Sequence, residues 1–158
     1  MTIQVGARIP TTTFKTMVDG APKEVTSESL FGGKRVVLFG VPGAFTPGCT
    51  RTHLPSYVEN ADQILAKGFD LIACTAVNDA WVMEAWGQAA GAEGKVTMLA
   101  DGSATFAQTV GLELDLTHVG MGMRCKRFSM VIQDGVVESL NIDDKAIELT
   151  AANHTCSL

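Results

Sequence analysis

Arg35-Val36-Val37-Leu38-Phe39-Gly40-Val41 runs directly into Pro42-Gly43-Ala44-Phe45-Thr46-Pro47-Gly48-Cys49-Thr50, and the change of character between the two stretches decides the fold. The first is β-branched and aromatic with apolar groups on both faces, the pattern of a central parallel strand. Pro42 and Gly43 end it. Beyond the turn, Leu54, Tyr57, Val58, Ala61, Ile64 and Leu65 recur at spacings of three and four up to Lys67-Gly68, so a helix follows with a glycine stop. Cys49 therefore falls at or just before the helix's first turn. Unpaired N–H groups and the positive end of the helix dipole favour an anion there, hence a thiolate. An inert core cysteine is the commoner fate of a lone Cys. Here, however, Pro42, Gly43, Pro47 and Gly48 shape a loop that presents something.

Outward from this unit, Thr11 to Val18 alternates weakly, turns at Asp19-Gly20 and returns through Pro22-Lys23-Glu24-Val25, which predicts an N-terminal β-hairpin at a sheet edge. Thr26 or Ser27 caps a short helical turn through Leu30-Phe31, stopped by Gly32-Gly33. Phe69 to Val77 reads as a second buried strand, and Asn78-Asp79 caps a helix from Trp81 to Ala90. That helix places Trp81, Ala85 and Ala89 on one stripe with Val82 and Trp86 beside it, aromatics we read as packing. Lys95 to Leu99 is a strand, Asp101 to Val110 a helix, and Leu112 to Met123 a loop rich in Gly and Met. Arg124 to Ile132 and Val136 to Ile142 flank a tight turn at Gln133-Asp134-Gly135, and a last helix starts at Thr150. This order predicts an α/β domain over residues 1–158 with parallel central strands, right-handed crossovers, an antiparallel edge and helices on both faces.

The 158 residues, 46% hydrophobic, suffice for one sizeable core. The net charge of −5, with no basic stripe, argues against nucleic acid and anionic membrane surfaces. No apolar run approaches the ~18 residues that span a bilayer, and Met1 to Gly6 has no signal-peptide core. The expected location is cytoplasmic. Cys49, Cys74, Cys125 and Cys156 lie far apart with no Cys-x-x-Cys, which fits reduced thiols and argues against structural zinc, as does the isolation of His154-x-Cys156. Gly33-Lys34 does not complete a phosphate loop, and Gly120-x-Gly122 lacks the rest of a dinucleotide fingerprint. No cofactor motif is present.

Pro42-xxx-Thr46-xx-Cys49 resembles the active-site signature of peroxiredoxins, and the continuation His53-Leu54-Pro55 is similar to the type II, or peroxiredoxin 5, subfamily. The resemblance implies a thioredoxin-like fold with a central mixed sheet. It also implies reduction of hydrogen peroxide and alkyl hydroperoxides through a Cys49 sulfenic acid, without cofactor or metal, in a homodimer. A free thiol near pKa ~8.5 needs roughly 2.7 kcal/mol of preferential anion stabilisation to fall by two units. A helix terminus supplies up to ~2 kcal/mol, so a cation is needed. The resemblance nominates Arg124, because Arg124-Cys125-Lys126-Arg127-Phe128-Ser129 is similar to the family's Arg-x-Lys-Arg-Phe/Tyr strand. Thr46 offers a hydroxyl that can donate to sulfur and accept from peroxide, besides capping the helix. Pro42 holds the loop and shields the pocket.

Two internal cysteines are candidates for resolving the sulfenic acid. Cys74 matches a cysteine of plant and animal subfamily members, and Thr155-Cys156-Ser157-Leu158 is similar to the surroundings of the animal resolving cysteine. Ungapped register from Arg127 onward puts Ala151 at that animal position, so regeneration by glutathione and glutaredoxin is preferred over an internal disulfide reduced by thioredoxin. Strand geometry places Cys74 too deep to bond Cys49 directly. Two rivals stay open. One is a cysteine hydrolase using His53, on the helical face of Cys49. The other is a thiol redox sensor without turnover.

Overall fold

The structure, a computed structural model, describes residues 1–143. The helix expected from Thr150, and Cys156 with it, lie outside the described residues. The elements run β1 (Thr13–Val18), β2 (Ala21–Thr26), α1 (Ser27–Phe31), β3 (Arg35–Gly40), a π turn (Cys49–His53) continuing as α2 (Leu54–Ala66), β4 (Leu71–Ala76), α3 (Ala80–Ala89), β5 (Thr97–Ala100), α4 (Thr105–Thr109), β6 (Glu113–Leu116), β7 (Gly122–Cys125), β8 (Arg127–Gln133) and β9 (Val136–Asp143).

Seven strands form one mixed sheet in the order β2-β1-β5-β4-β3-β8-β9. Strands β3, β4 and β5 are parallel through the crossovers α2 and α3, while β8 adds antiparallel to β3. This is the thioredoxin-like arrangement with the expected edge hairpin. Its turn uses positive φ at both Asp19 (52°) and Gly20 (79°), the geometry that matches strand twist. The second hairpin turn, at Asp134 and Gly135, does the same.

Because β3 is covered on both sides, Val36, Val37, Leu38 and Phe39 are all fully buried. Each contributes about 1.5–3 kcal/mol of transfer free energy. Val36 and Leu38 face a core shared with Leu30 and Phe31 of α1 and Phe106 and Ala107 of α4. Val37 and Phe39 face a second core with Leu54, Tyr57, Ala61 and Ile64 of α2 and Met83 and Trp86 of α3. Cys49 and Cys74 belong to this second core.

Two expectations need correction. The α3 aromatics divide: Trp86 is completely buried, but Trp81 is 61% exposed, because the inward stripe runs through Ala80, Met83, Trp86 and Gly87. Residues 112–123 are not simply a loop. Glu113-Leu114-Asp115-Leu116 alternates with period two and pairs antiparallel with Gly122–Cys125, making a small separate sheet. The strand expected from Arg124 to Ile132 is consequently interrupted at Lys126, leaving Arg124 on the small sheet and Arg127 on the main one.

Candidate active site

Pro42 and Gly43 turn the chain off β3 at the carboxyl end of the parallel strands, a common location for functional groups in open α/β sheets. The loop is tied down at both ends of its arc. Val41 N–H donates to the Thr75 carbonyl (3.1 Å), and Ala44 N–H donates to Asn78 Oδ1 (2.9 Å). Phe45 is held at φ 63°, unusual for a bulky residue, and its ring is half exposed. Thr46 N–H and its hydroxyl both turn back to the Gly43 carbonyl, the hydroxyl at 2.7 Å. The hydroxyl proton is thus committed to the loop, and its oxygen keeps acceptor capacity. Helical backbone begins at Pro47.

Cys49 opens a π turn, in which Leu54 N–H donates to the Cys49 carbonyl five residues back. Such turns are rare and concentrate at functional sites. Trp86 Nε1–H, from the buried face of α3, donates to Thr50 Oγ1 (3.1 Å) and pins the turn from the side. The Cys49 sulfur is closed off from solvent, with no exposed area.

The cation at the sulfur is Arg127. Its Nη2 donates to Cys49 Sγ at 3.2 Å, and its Nη1 lies 2.9 Å from His53 Nδ1. Arg127 is only 1% exposed, so water screens this contact little. Arg124, the residue nominated by motif, is placed elsewhere. Its Nε donates to the Met121 carbonyl (2.8 Å) and its Nη1 to the Val77 carbonyl (3.4 Å). The reason is topological: β8 pairs directly with β3, bringing Arg127 beneath the Cys49 turn, while β7 pairs with β6. Arg124 instead braces the loop, for a Cβ on Gly43 would stand 3.1 Å from its Nη1.

His53 is fully buried against both Phe39 (ring centroids 5.0 Å apart) and Tyr57 (5.6 Å). Burial foremost, and then the Arg127 charge, push its pKa down to about 3, with Asp143 opposing. The imidazole is neutral at physiological pH. No hydrogen bond joins it to Cys49 among the described residues, and Arg127 bridges the two instead. This geometry does not suit the base of a cysteine hydrolase.

A cavity of about 320 Å³ opens beside the guanidinium. Pro42, Thr46 and Gly48 form one wall, and Leu114, Leu116, Val119 and Met121 of the small sheet and its turn form the other. Pro42 and Thr46 therefore line one cavity with Arg127, the residue that donates to the Cys49 sulfur. Cys74 lies on β4, opposite Phe39 of β3, and is buried like Cys49. Burial, and then the nearby Cys49 and Cys125 thiols, raise its pKa well above the ordinary value. Cys49, Cys74 and Cys125 are all unbridged. Among the described residues no three His, Cys, Asp or Glu side chains converge as metal ligands.

A thioredoxin-like sheet that offers a buried cysteine at a helix start, bonded to an arginine, defines a class of thiol-active domains. Comparison with known proteins narrows it. The Redoxin family model matches residues 4–153. Peroxiredoxin-2B of Arabidopsis thaliana is 41% identical over 142 residues, covering 89% of this chain and 88% of that one. Peroxiredoxin-2E, chloroplastic, of the same plant is 44% identical, but the chain spans only 62% of its length. Reduced Prx3 of Vibrio vulnificus in complex with hydrogen peroxide superposes with a TM-score of 0.91 at 45% identity over 98% of both chains. Peroxiredoxin 5 of Alvinella pompejana is 35% identical over 90% of both chains, with a TM-score of 0.81. The chain belongs to the peroxiredoxins, within the Redoxin family.

Proposed function

We propose that the protein is a thiol peroxidase acting on hydrogen peroxide and alkyl hydroperoxides. The observation that carries this reading is the Arg127 guanidinium, 3.2 Å from Cys49 Sγ at the floor of the cavity. The Cys49 thiolate attacks one peroxide oxygen and the O–O bond breaks. The other oxygen departs with the bonding pair, takes a proton, and leaves as water or an alcohol. Sulfur loses two electrons and becomes a sulfenic acid. Arginine stays charged and presents several planar donors, so it can hold the thiolate and stabilise charge growing on oxygen. The Thr46 oxygen can accept a hydrogen bond from the peroxide O–H. Peroxide bound by the Vibrio vulnificus relative supports the substrate class, and the apolar wall of Leu114, Leu116, Val119 and Met121 suits an alkyl chain.

Regeneration is assigned to external thiols. One thiolate displaces hydroxide from the sulfenic sulfur to form a mixed disulfide, and a second thiol releases Cys49. Cys74 is a poor internal resolver, since its buried thiol resists ionisation. The closed sulfur adds a condition: a bulky thiol reaches it only after the Cys49 turn opens. Two exposed aromatics, Phe45 and Trp81, flank the Ala44–Asn78 hydrogen bond and favour a homodimer. Peroxide consumption with glutathione plus glutaredoxin, against thioredoxin plus its reductase, tests both activity and donor. Turnover should be faster with glutaredoxin; no turnover with either system would end the peroxidase reading.

A further inference from the structure

The Arg127 guanidinium is held from two sides, and the side away from sulfur is a histidine that the reaction itself does not use. A guanidinium has donors only, so at 2.9 Å His53 Nδ1 must be the acceptor and the ring proton must sit on Nε2. We propose that His53 is a positioning residue for Arg127: its unprotonated Nδ1 anchors Nη1 so that Nη2 stays aimed at the Cys49 sulfur and the incoming oxygen. The inference rests on the peroxidase reading above.

Four observations support it. The ring is fully buried and packs tilted against the stacked pair of Phe39 and Tyr57, whose own centroids lie 3.9 Å apart, so its orientation is restrained. The guanidinium is fully buried, and its Nε has no acceptor among the described residues, so Nη1 and Nη2 carry its orientation. The imidazole stays neutral over the working pH range, so it remains an acceptor and adds no second cation beside Arg127. His53 Nε2 is itself buried with no acceptor among the described residues. A residue chosen for packing alone would not carry that desolvation penalty.

Three variants separate this role from a structural one. His53→Phe keeps the ring and its stacking but removes the acceptor. His53→Asn places an amide oxygen near the Nδ1 position, and His53→Gln reaches only toward Nε2. Two rates are compared for each folded variant: hydrogen peroxide reduction, and iodoacetamide alkylation of Cys49 at pH 9, followed by peptide mass. Alkylation needs a thiolate but no aimed guanidinium. His53→Phe is expected to slow peroxide reduction by about 10- to 100-fold, the usual consequence of a misplaced catalytic group, with alkylation nearly unchanged. His53→Asn should recover most of the loss and His53→Gln little of it. Equal peroxide rates in His53→Phe and the unsubstituted protein would overturn the inference. So would parallel loss of both rates, or failure of Asn to rescue. If the unsubstituted protein itself reduces no peroxide, the peroxidase reading fails, and this inference with it.

Discussion

Cys49 and Arg127 are 78 residues apart in the chain and 3.2 Å apart in the fold, and at the residue scale this pair decides the chemistry. Cys49→Ser should abolish peroxide turnover in a protein that still folds, since volume barely changes; retained turnover would remove the nucleophile assignment. Arg127→Gln should slow peroxide reduction by about 10²- to 10³-fold, as loss of one preorganised donor does elsewhere. Arg127→Lys should rescue little, because a lone ammonium cannot reach sulfur and His53 together. Arg124→Ala should cost less than Arg127→Gln in stopped-flow peroxide kinetics, since Arg124 contacts carbonyls of Met121 and Val77. The opposite ranking would restore Arg124 to the centre. His53 also sets a pH dependence of stability. It titrates at about 3 in the fold, against ~6.5 in an unfolded chain. Between these values the unfolded chain binds the extra proton, so the contribution is complete above pH ~6.5 and declines as pH falls toward the folded value. The loss is about 2 kcal/mol by pH 5. Asp101, whose carboxyl is raised chiefly by burial, works in the opposite direction. Urea unfolding at pH 7 and pH 5 should show a smaller drop for His53→Asn than for the parent; equal drops would exclude the buried neutral imidazole.

At the scale of elements, the site depends on close contact between β3 and β8. Gly40 pairs with Phe128, and a Cβ at Gly40 would lie 2.1 Å from the Phe128 ring. Gly40→Ala should therefore destabilise the protein by about 1–3 kcal/mol, the usual cost of overpacking. Because Phe128 adjoins Arg127, peroxide reduction should slow as well. An alanine variant with parental melting temperature and rate would show that β8 yields more easily than this packing implies. The π turn is held by Trp86, and Trp86→Phe keeps most of the packing while removing the hydrogen bond to Thr50. About 1 kcal/mol should be lost, with faster amide exchange confined to the Cys49–Leu54 turn. Unchanged exchange there would mean that the bond does not restrain the turn.

Across the whole molecule, Cys49 at the start of the π turn and Cys74 within β4 share the second core, and both remain free thiols. Cys74→Ser is expected to keep turnover with glutathione and glutaredoxin; a stall with Cys49 accumulating as sulfenic acid would establish Cys74 as resolver. Much of this architecture was legible in the sequence because it is local. The apolar run of β3, the Pro-Gly exit, the three-and-four periodicity of α2 and the Asp19-Gly20 turn each express backbone preferences that a short window contains. Together they determined the α/β class, the helix-start position of Cys49 and, through the spacing of Pro42, Thr46 and Cys49, the family. Other features depended on partners distant in sequence. The exposure of Trp81 followed from which α3 stripe met β1 and β5, and the small β6–β7 sheet from a pairing that periodicity hinted at but could not register. Motif proximity pointed to Arg124, whereas strand pairing brought Arg127 to the sulfur. A guanidinium's reach is a few ångströms, so only the placement of β8 against β3 could decide which arginine touches Cys49 and that His53 stands on its other side.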